Sequence, residues 1–350
     1  MHGTIYEFET LPRAAALPAA SVAPRRARAR TGAAPLVGIV RNPRSHRNKG
    51  RAAEFSDRPN ILTRTPRTRA ELRIELSEFA RRGIDYLVID GGDGTVRDVL
   101  TCGEPVFGGR WPRLIVLPKG KTNALAVDLG LPNQWSLSEA LDAAAAGRTV
   151  ERRPLAVRPA SSASDPAGSP DALVQGFILG AGVFTIATQA AQEAHRRGAF
   201  NSFAVLLTIV WALIQTLFGG AANAWRAGTR MRLTFGGKPV PHSGRGSESR
   251  RFLLLASTLQ RFPLGIRPFG TSAGRLNLAV LDAPLRRVIA LVPLLAVGLF
   301  RSNLDRLGIH RVASEQAEIE LGDRFILDGE YFPAGRYRLN QGSPLRFVTP

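Results

Sequence analysis

The sequence predicts an α/β unit built on a parallel sheet, followed by a second, largely antiparallel β unit. Three observations carry this expectation. Up to about residue 150, short apolar strand patterns alternate with helical ones, which implies parallel strands joined by helices. Polar or glycine-rich loops at 42–45, 91–95 and 118–123 each follow such a strand directly, where ligand loops of open α/β sheets lie. Beyond about residue 150 the texture changes to a succession of strand candidates. A chain of 350 residues also exceeds the usual single core, so two units are expected, at 35–150 and 151–350, with the last strands free to return to the first.

In chain order, Leu36-Val-Gly-Ile-Val40 is a buried-strand pattern that ends in the turn Asn42-Pro43-Arg44-Ser45. Ile61-Leu62-Thr63 is a second short strand. Thr68 with Glu71 three residues later forms a capping-box signature, and Leu72, Leu76 and Phe79 then share one helical face up to Gly83. A strand at 86–90 feeds Gly91-Gly92-Asp93-Gly94-Thr95 and a helical pattern from Val96 to Cys102. Leu114-Ile-Val-Leu117 is a further buried strand, ended by Pro118-Lys-Gly-Lys-Thr-Asn123. In the second unit Val150 to Val157 is strand-like, Ser161 to Pro170 is an exposed loop, and strands are expected at 173–179, 230–235, 251–257, 275–281, 317–321 and 336–339. Two apolar stretches, Phe203 to Phe218 and Val288 to Phe300, are short for membrane crossings, and the second carries Pro293. Buried or lipid-contacting helices fit them better.

The Gly91–Thr95 turn is the most informative segment. Glycines let main-chain N–H groups approach a phosphate closely, and the following helix directs its positive end there, so a nucleotide is the first expectation. Asp93 would repel a bare phosphate; set among amide donors, it makes sense mainly with Mg²⁺ or an ordered water between it and the nucleotide. The plain alternative is a strand-to-helix turn in which Asp93 caps the helix.

The formal charge is +19 with a pI near 11.4, nearly all of it Arg, since the only lysines are Lys49, Lys119, Lys121 and Lys238. Such a balance favours anionic partners, among them an anionic membrane surface, or else reflects Arg spread over solvated faces. No zinc spacing or interleaved aromatic and basic pattern accompanies the charge, so nucleic acid is not expected as a partner. Cys102 is the only cysteine, which excludes intrachain disulfides and thiolate metal clusters and fits a reducing compartment. Residues 1–34 lack the continuous apolar core of a secretory signal and read as a flexible basic tail.

With Asn42-Pro43-x-Ser45, Gly91-Gly-Asp-Gly-Thr95, Pro118-x-Gly120-x-Thr122-Asn123 leading to Leu129-Gly-Leu-Pro132, and Asp328-Gly329-Glu330 in this order, the chain from about Leu36 to Val348 resembles the diacylglycerol kinase catalytic family, which includes sphingosine, ceramide and bacterial lipid kinases. Gly180-Ala-Gly182 and Arg196-Arg197-Gly198 resemble the family's middle segment. The resemblance implies a Rossmann-like nucleotide-binding α/β domain, a β-sandwich-like second domain with inserted helices, and ATP in the cleft between them. It places Asn42, Thr65, Gly91, Gly92, Gly94, Thr95, Gly120, Thr122 and Asn123 around the nucleotide. Asp93 would bind Mg²⁺ directly or through water, Glu330 would support the same network, and Asp328 would be the general base. The implied activity is ATP-dependent phosphorylation of a lipid hydroxyl by a cytoplasmic, peripherally membrane-associated enzyme; a homodimer is left open.

Phosphoryl transfer asks for such parts on its own terms: an in-line nucleophile, a metal across the phosphates and positive groups on the equatorial oxygens. Lys119, Lys121, Arg196 and Arg197 are candidates for the last role. Asp328, between Phe325-Ile-Leu327 and Tyr331-Phe332, would gain basicity from partial desolvation. Its plain alternative is an Asp-Gly hairpin turn. Ala124 replaces the Asp that usually follows the family's third motif, an acid reappearing at Asp128. Ser272-Ala273-Gly274-Arg275-Leu276 stands where the family commonly has Asp-Asp-Gly, so a structural metal there is not expected. Two readings stand beside the lipid kinase: an NAD kinase, which shares the glycine turn, and a catalytically inactive nucleotide-binding membrane regulator.

Overall fold

A computed structural model describes residues 34–50, 58–160, 172–196, 227–243, 249–270, 276–283 and 304–350, with a few isolated positions between. The expected basic tail, the Ser161–Pro170 loop, Phe203 to Phe218, most of Val288 to Phe300, and Ser272 to Arg275 lie outside the described residues. No helix among the described residues is long and apolar enough to cross a membrane.

The front unit runs β1 (Val37–Arg41), β2 (Ile61–Arg64), α1 (Arg69–Arg82), β3 (Tyr86–Gly91), α2 (Asp93–Phe107), β4 (Arg113–Pro118), α3 (Ala124–Leu129), α4 (Leu137–Ala145) and β5 (Thr149–Arg152). β1 and β3 are buried along their whole length, which is why they read as continuous apolar runs rather than alternating ones. α1 starts where the Thr68 hydroxyl accepts the Glu71 amide and stops at Gly83, whose φ of 66° is open to glycine at little cost; the cap contributes about 1 kcal/mol. The Glu71 carboxylate turns back to the amide of Arg67 rather than that of Thr68, so the capping box closes one residue early.

The rear unit runs β6 (Leu155–Pro159), β7 (Val174–Gly176), β8 (Ile178–Gly182), α5 (Val183–Arg196), β9 (Thr229–Phe235), β10 (Lys238–Pro239), β11 (Arg250–Arg251), β12 (Leu253–Ser257), β13 (Leu276–Leu281), β14 (Ile309–Ser314), β15 (Gln316–Leu321), β16 (Phe325–Leu327), β17 (Glu330–Phe332) and β18 (Gly335–Gln341). The final strand, β19 (Leu345–Val348), leaves it again.

Three sheets result among the described residues. The first has the order β2-β1-β3-β4-β19-β5. Its strands pair in parallel except where β5 runs against β19. The other two, β10-β9-β15-β18-β6-β7 with β11 beside β9, and β14-β13-β12-β8-β16-β17, are antiparallel. Leu155, Val157, Leu233, Ile319 and Leu339 of one antiparallel sheet and Leu179, Leu254, Leu278 and Phe325 of the other form one buried core. Phe325 stacks on Phe332 at 5.2 Å between centroids and meets Tyr337 edge-on at 4.9 Å, which fixes the β16–β17 hairpin against this core.

Two runs that read as single strands are each two. Val150 to Val157 is divided at Pro154, which has no N–H to give a ladder, and its halves join different sheets. The run at 173–179 breaks at Phe177, between β7 in one sheet and β8 in the other.

Candidate active site

The carboxyl ends of β1, β3 and β4 bring the three predicted loops together. Gly92 is the N-cap of α2, with Asp93 in the first helical position, so the glycine turn and the helix start are one feature. The amide of Lys119 donates to the Gly91 carbonyl at 3.0 Å. Gly92 and Gly120 lie against each other so closely that a Cβ on Gly92 would stand 2.8 Å from the Gly120 Cα, and one on Gly120 would stand 2.7 Å from the Gly92 Cα. Here the glycines are required by loop-to-loop contact as well as by any approach of a ligand. Asn123, at φ 50°, bridges back over its own loop: its Oδ1 accepts the Gly120 amide at 2.8 Å and its Nδ2 donates to the Gly120 carbonyl at 3.0 Å. Asn42 donates to the Thr95 hydroxyl at 3.0 Å. Buried Asn48, not anticipated from sequence, donates to the Asn42 carbonyl and to the Asp90 carboxylate, tying the first loop to β3.

Asp328 and Gly329 are the two central residues of the β16–β17 hairpin, with φ of 45° and 83°. Positive φ at both positions is the signature of the Asp-Gly turn that matches strand twist. The hairpin and the special carboxylate, alternatives at the sequence level, therefore coincide. The Asp328 carboxylate accepts the amides of Phe177 and Ile178, each at 2.9 Å, at the break between β7 and β8. The Asp328 amide returns a bond to the Ile178 carbonyl. A Cβ on Gly176 would lie 2.6 Å from Asp328 Oδ2, so the hairpin tip closes onto bare backbone.

The charge of Asp93, in the front unit, reaches Asp328, in the rear unit. Burial pushes the Asp328 carboxyl up to about 7, with the Asp93 charge adding to the rise; the Ile178 and Phe177 amides and the Arg97 guanidinium act against it. Part of the Asp328 surface stays open to solvent even so. Burial likewise raises Asp93, opposed by the amides of Ala124, Leu125 and Asn123 at the start of α3. Arg97, one turn beyond Asp93 on α2 and only 3% exposed, donates to the carbonyls of Leu327 and Asp328 at 3.2 and 3.4 Å and pairs with Glu330 and Asp98. Arg69, at the start of α1, reaches Glu330 at 3.4 Å and Asp98 at 3.1 Å. Neither arginine stands out in the sequence, because Glu330, which both reach, lies far along the chain.

The remaining predicted residues divide. Thr65 is exposed and lines a cleft of about 330 Å³ with Thr63, Arg64, Pro66, Glu71, Ile74 and Glu75, beyond the outermost strand of the first sheet. Lys119 is half-buried, while Lys121 and Thr122 are exposed, all in the loop after β4. Gly94 and Thr95 lie in the first turn of α2. Arg196 ends α5, and Arg197 falls outside the described residues. Asp128 does not stand in for the acid missing at Ala124: its buried carboxylate pairs with Arg152 at 2.6 Å and accepts the amides of Gln260 and Arg261, each at 2.7 Å. Among the described residues no three or more His, Cys, Asp or Glu side chains gather as a metal cluster.

Known proteins resemble this chain in part of its sequence and in its fold. Residues 39–156 match the diacylglycerol kinase catalytic domain. Curated relatives include the probable lipid kinases YegS of Salmonella arizonae and Salmonella heidelberg, each 36% identical over 76 residues, which is 22% of this chain. The matched stretch spans only 25% of those relatives' length. Among solved structures, a putative diacylglycerol kinase from Bacillus anthracis str. Sterne aligns with a TM-score of 0.57 at 19% identity, covering 90% of this chain and 97% of that one. A second diacylglycerol kinase structure from the same organism aligns at 0.55 with 14% identity, covering 90% and 96%. At such identities the likeness shows the fold: a mixed α/β architecture shared with diacylglycerol kinase-like proteins.

Proposed function

We propose that this chain, whose residues 39–156 match the diacylglycerol kinase catalytic domain, is an ATP-dependent lipid kinase that phosphorylates a hydroxyl of a diacylglycerol, ceramide or sphingoid lipid at an anionic membrane surface. The observation that carries this reading is the Asp328 carboxylate of the rear unit, close enough to Asp93 of the glycine turn for the Asp93 charge to act on it. A phosphate site and a candidate base thus share one location, contributed by different units.

The triphosphate lies against the amides of the 91–95 and 118–123 loops and the N-terminus of α2, with Asn42, Thr95, Thr122 and Asn123 about it and Lys119 and Lys121 on its oxygens. The Thr65 cleft, with Ile74 64% exposed, suits the flat nucleobase. Asp328 accepts the proton of the lipid hydroxyl as its oxygen bonds to the γ-phosphorus and the bridging oxygen leaves with ADP; a positioned base of this kind contributes about 10²–10⁴-fold. Asp93, in the first turn of α2, offers hard carboxylate oxygens of the kind a divalent cation takes. Mg²⁺ would be held there by Asp93. Bound, it would neutralise phosphate charge. Glu330, already paired with Arg97 and Arg69, would reach it only through water.

The test is incubation with γ-labelled ATP, Mg²⁺ and either mixed lipids or NAD. Label in the organic-extractable lipid is expected. Label on NAD, or nucleotide binding without transfer, would replace this reading with an NAD kinase or an inactive regulator.

A further inference from the structure

Resting on the kinase reading, we propose that Arg97 is the positioning residue that holds Asp328 against the phosphate loops, by strapping the tip of the rear hairpin to the helix that starts at the phosphate site.

Asp93, Arg97 and Thr101 follow one another at one-turn intervals and so lie on one face of α2. Asp93 stands at the positive end of the helix. Thr101 exchanges bonds with Gln175 of β7, its hydroxyl accepting the Gln175 amide at 3.0 Å and facing the Gln175 carbonyl at 3.4 Å. Between them, Arg97 takes the hairpin tip itself through the carbonyls of Leu327 and Asp328 and the carboxylate of Glu330. The two segments that orient the Asp328 carboxylate, the amides at 177–178 and its own turn, are thereby both referenced to α2. A front-unit helix sets where a rear-unit base stands.

The chemistry of the contact explains why arginine occupies the position. Backbone carbonyls and a carboxylate lie on different sides of the guanidinium, and its planar fork serves both; a lysine ammonium supplies charge but not that geometry. The pairing also assigns Glu330 a task, as the anchor that orients the guanidinium. Displacing a reacting group by about 1 Å costs on the order of 10²-fold in rate, which is the leverage such a strap has.

The experiment compares Arg97→Ala, Arg97→Lys, Arg97→Glu and the reversed pair Arg97→Glu with Glu330→Arg, in the full chain. Transfer from labelled ATP to diacylglycerol in mixed micelles is read beside Mg·ATP affinity by calorimetry and hydrogen exchange at the amides of Phe177, Ile178 and residues 327–330. The expected result for Arg97→Ala is a fall in kcat of about 10²-fold with ATP affinity essentially unchanged and protection lost at those amides alone. Arg97→Lys should recover only part of the rate, and the reversed pair should exceed Arg97→Glu by itself. Unchanged kcat, loss confined to ATP affinity, or undiminished protection at Phe177 and Ile178 would overturn the proposal. Should the native protein transfer no phosphate to lipid, the kinase reading fails, and the exchange data still decide whether Arg97 holds the turn.

Discussion

The Asp282 carboxylate, at the end of β13, and the Asp328 carboxylate differ in the positive groups the fold places around them. At Asp282 one oxygen pairs with Arg251, and the other accepts the Ser243 amide at 2.8 Å and meets His310 Nε2 at 2.9 Å. Burial pushes this carboxyl up, but the His310 and Ser243 bonds and the Arg251 charge prevail and bring it to about 2. At Asp328 burial and the Asp93 charge outweigh the two amides and the Arg97 guanidinium, and the group rises to about 7. The same fold thus balances one acid and leaves two unbalanced at the mouth of the phosphate loops. A buried acid with its cations supplied supports structure; acids without them mark where a proton, a cation or a substrate is to come.

This contrast can be broken deliberately. Asp282→Asn should cost about 3–5 kcal/mol of unfolding free energy in denaturant titration, because Arg251 is left buried without its counter-charge; a loss below about 1 kcal/mol would place Asp282 among ordinary surface pairs. Acid should remove the same support gradually. The folded carboxyl titrates near 2 and its ordinary value is 3.8, so the contribution is complete above about pH 4 and is lost as pH falls toward 2, on the order of 2 kcal/mol in total. The Asp282→Asn variant should show a flatter acid limb than the parent in thermal melts between pH 4 and pH 2; parallel limbs would contradict the assignment. The smallest change is expected at Asp328. Asp328→Asn keeps a residue tolerant of φ 45° and relieves the repulsion with Asp93 while giving up one amide bond, so stability should move by less than about 1 kcal/mol. A large loss there would make Asp328 a second Asp282.

Much of the front unit was legible locally. Apolar runs mark β1, β3 and β4, and Thr68 and Gly83 mark the ends of α1, because burial and capping act over a few residues. The lipid kinase resemblance was legible too, through three motifs on successive loops of the first sheet and a fourth on the β16–β17 hairpin. What escaped depends on contacts across the chain. The break at Phe177 has no local cause; its amide and that of Ile178 turn to a carboxylate from the far hairpin. β14 was not anticipated, and β16 and β17, three residues each, were legible only as the arms of an Asp-Gly hairpin offered as an alternative. Arg97 is one arginine among many until Leu327, Asp328 and Glu330 are placed beside it. Asp328-Gly329 offered a turn or a base, and only the folded chain shows that the turn is what presents the carboxylate.

The most direct test is phosphate transfer from γ-labelled ATP to diacylglycerol in Mg²⁺-containing mixed micelles, measured for the native chain and for Asp328→Asn at saturating ATP. Labelled lipid is expected from the native chain and a loss of at least about 10²-fold in the variant, with Mg·ATP binding retained. Equal turnover by the two proteins would contradict the role given to Asp328.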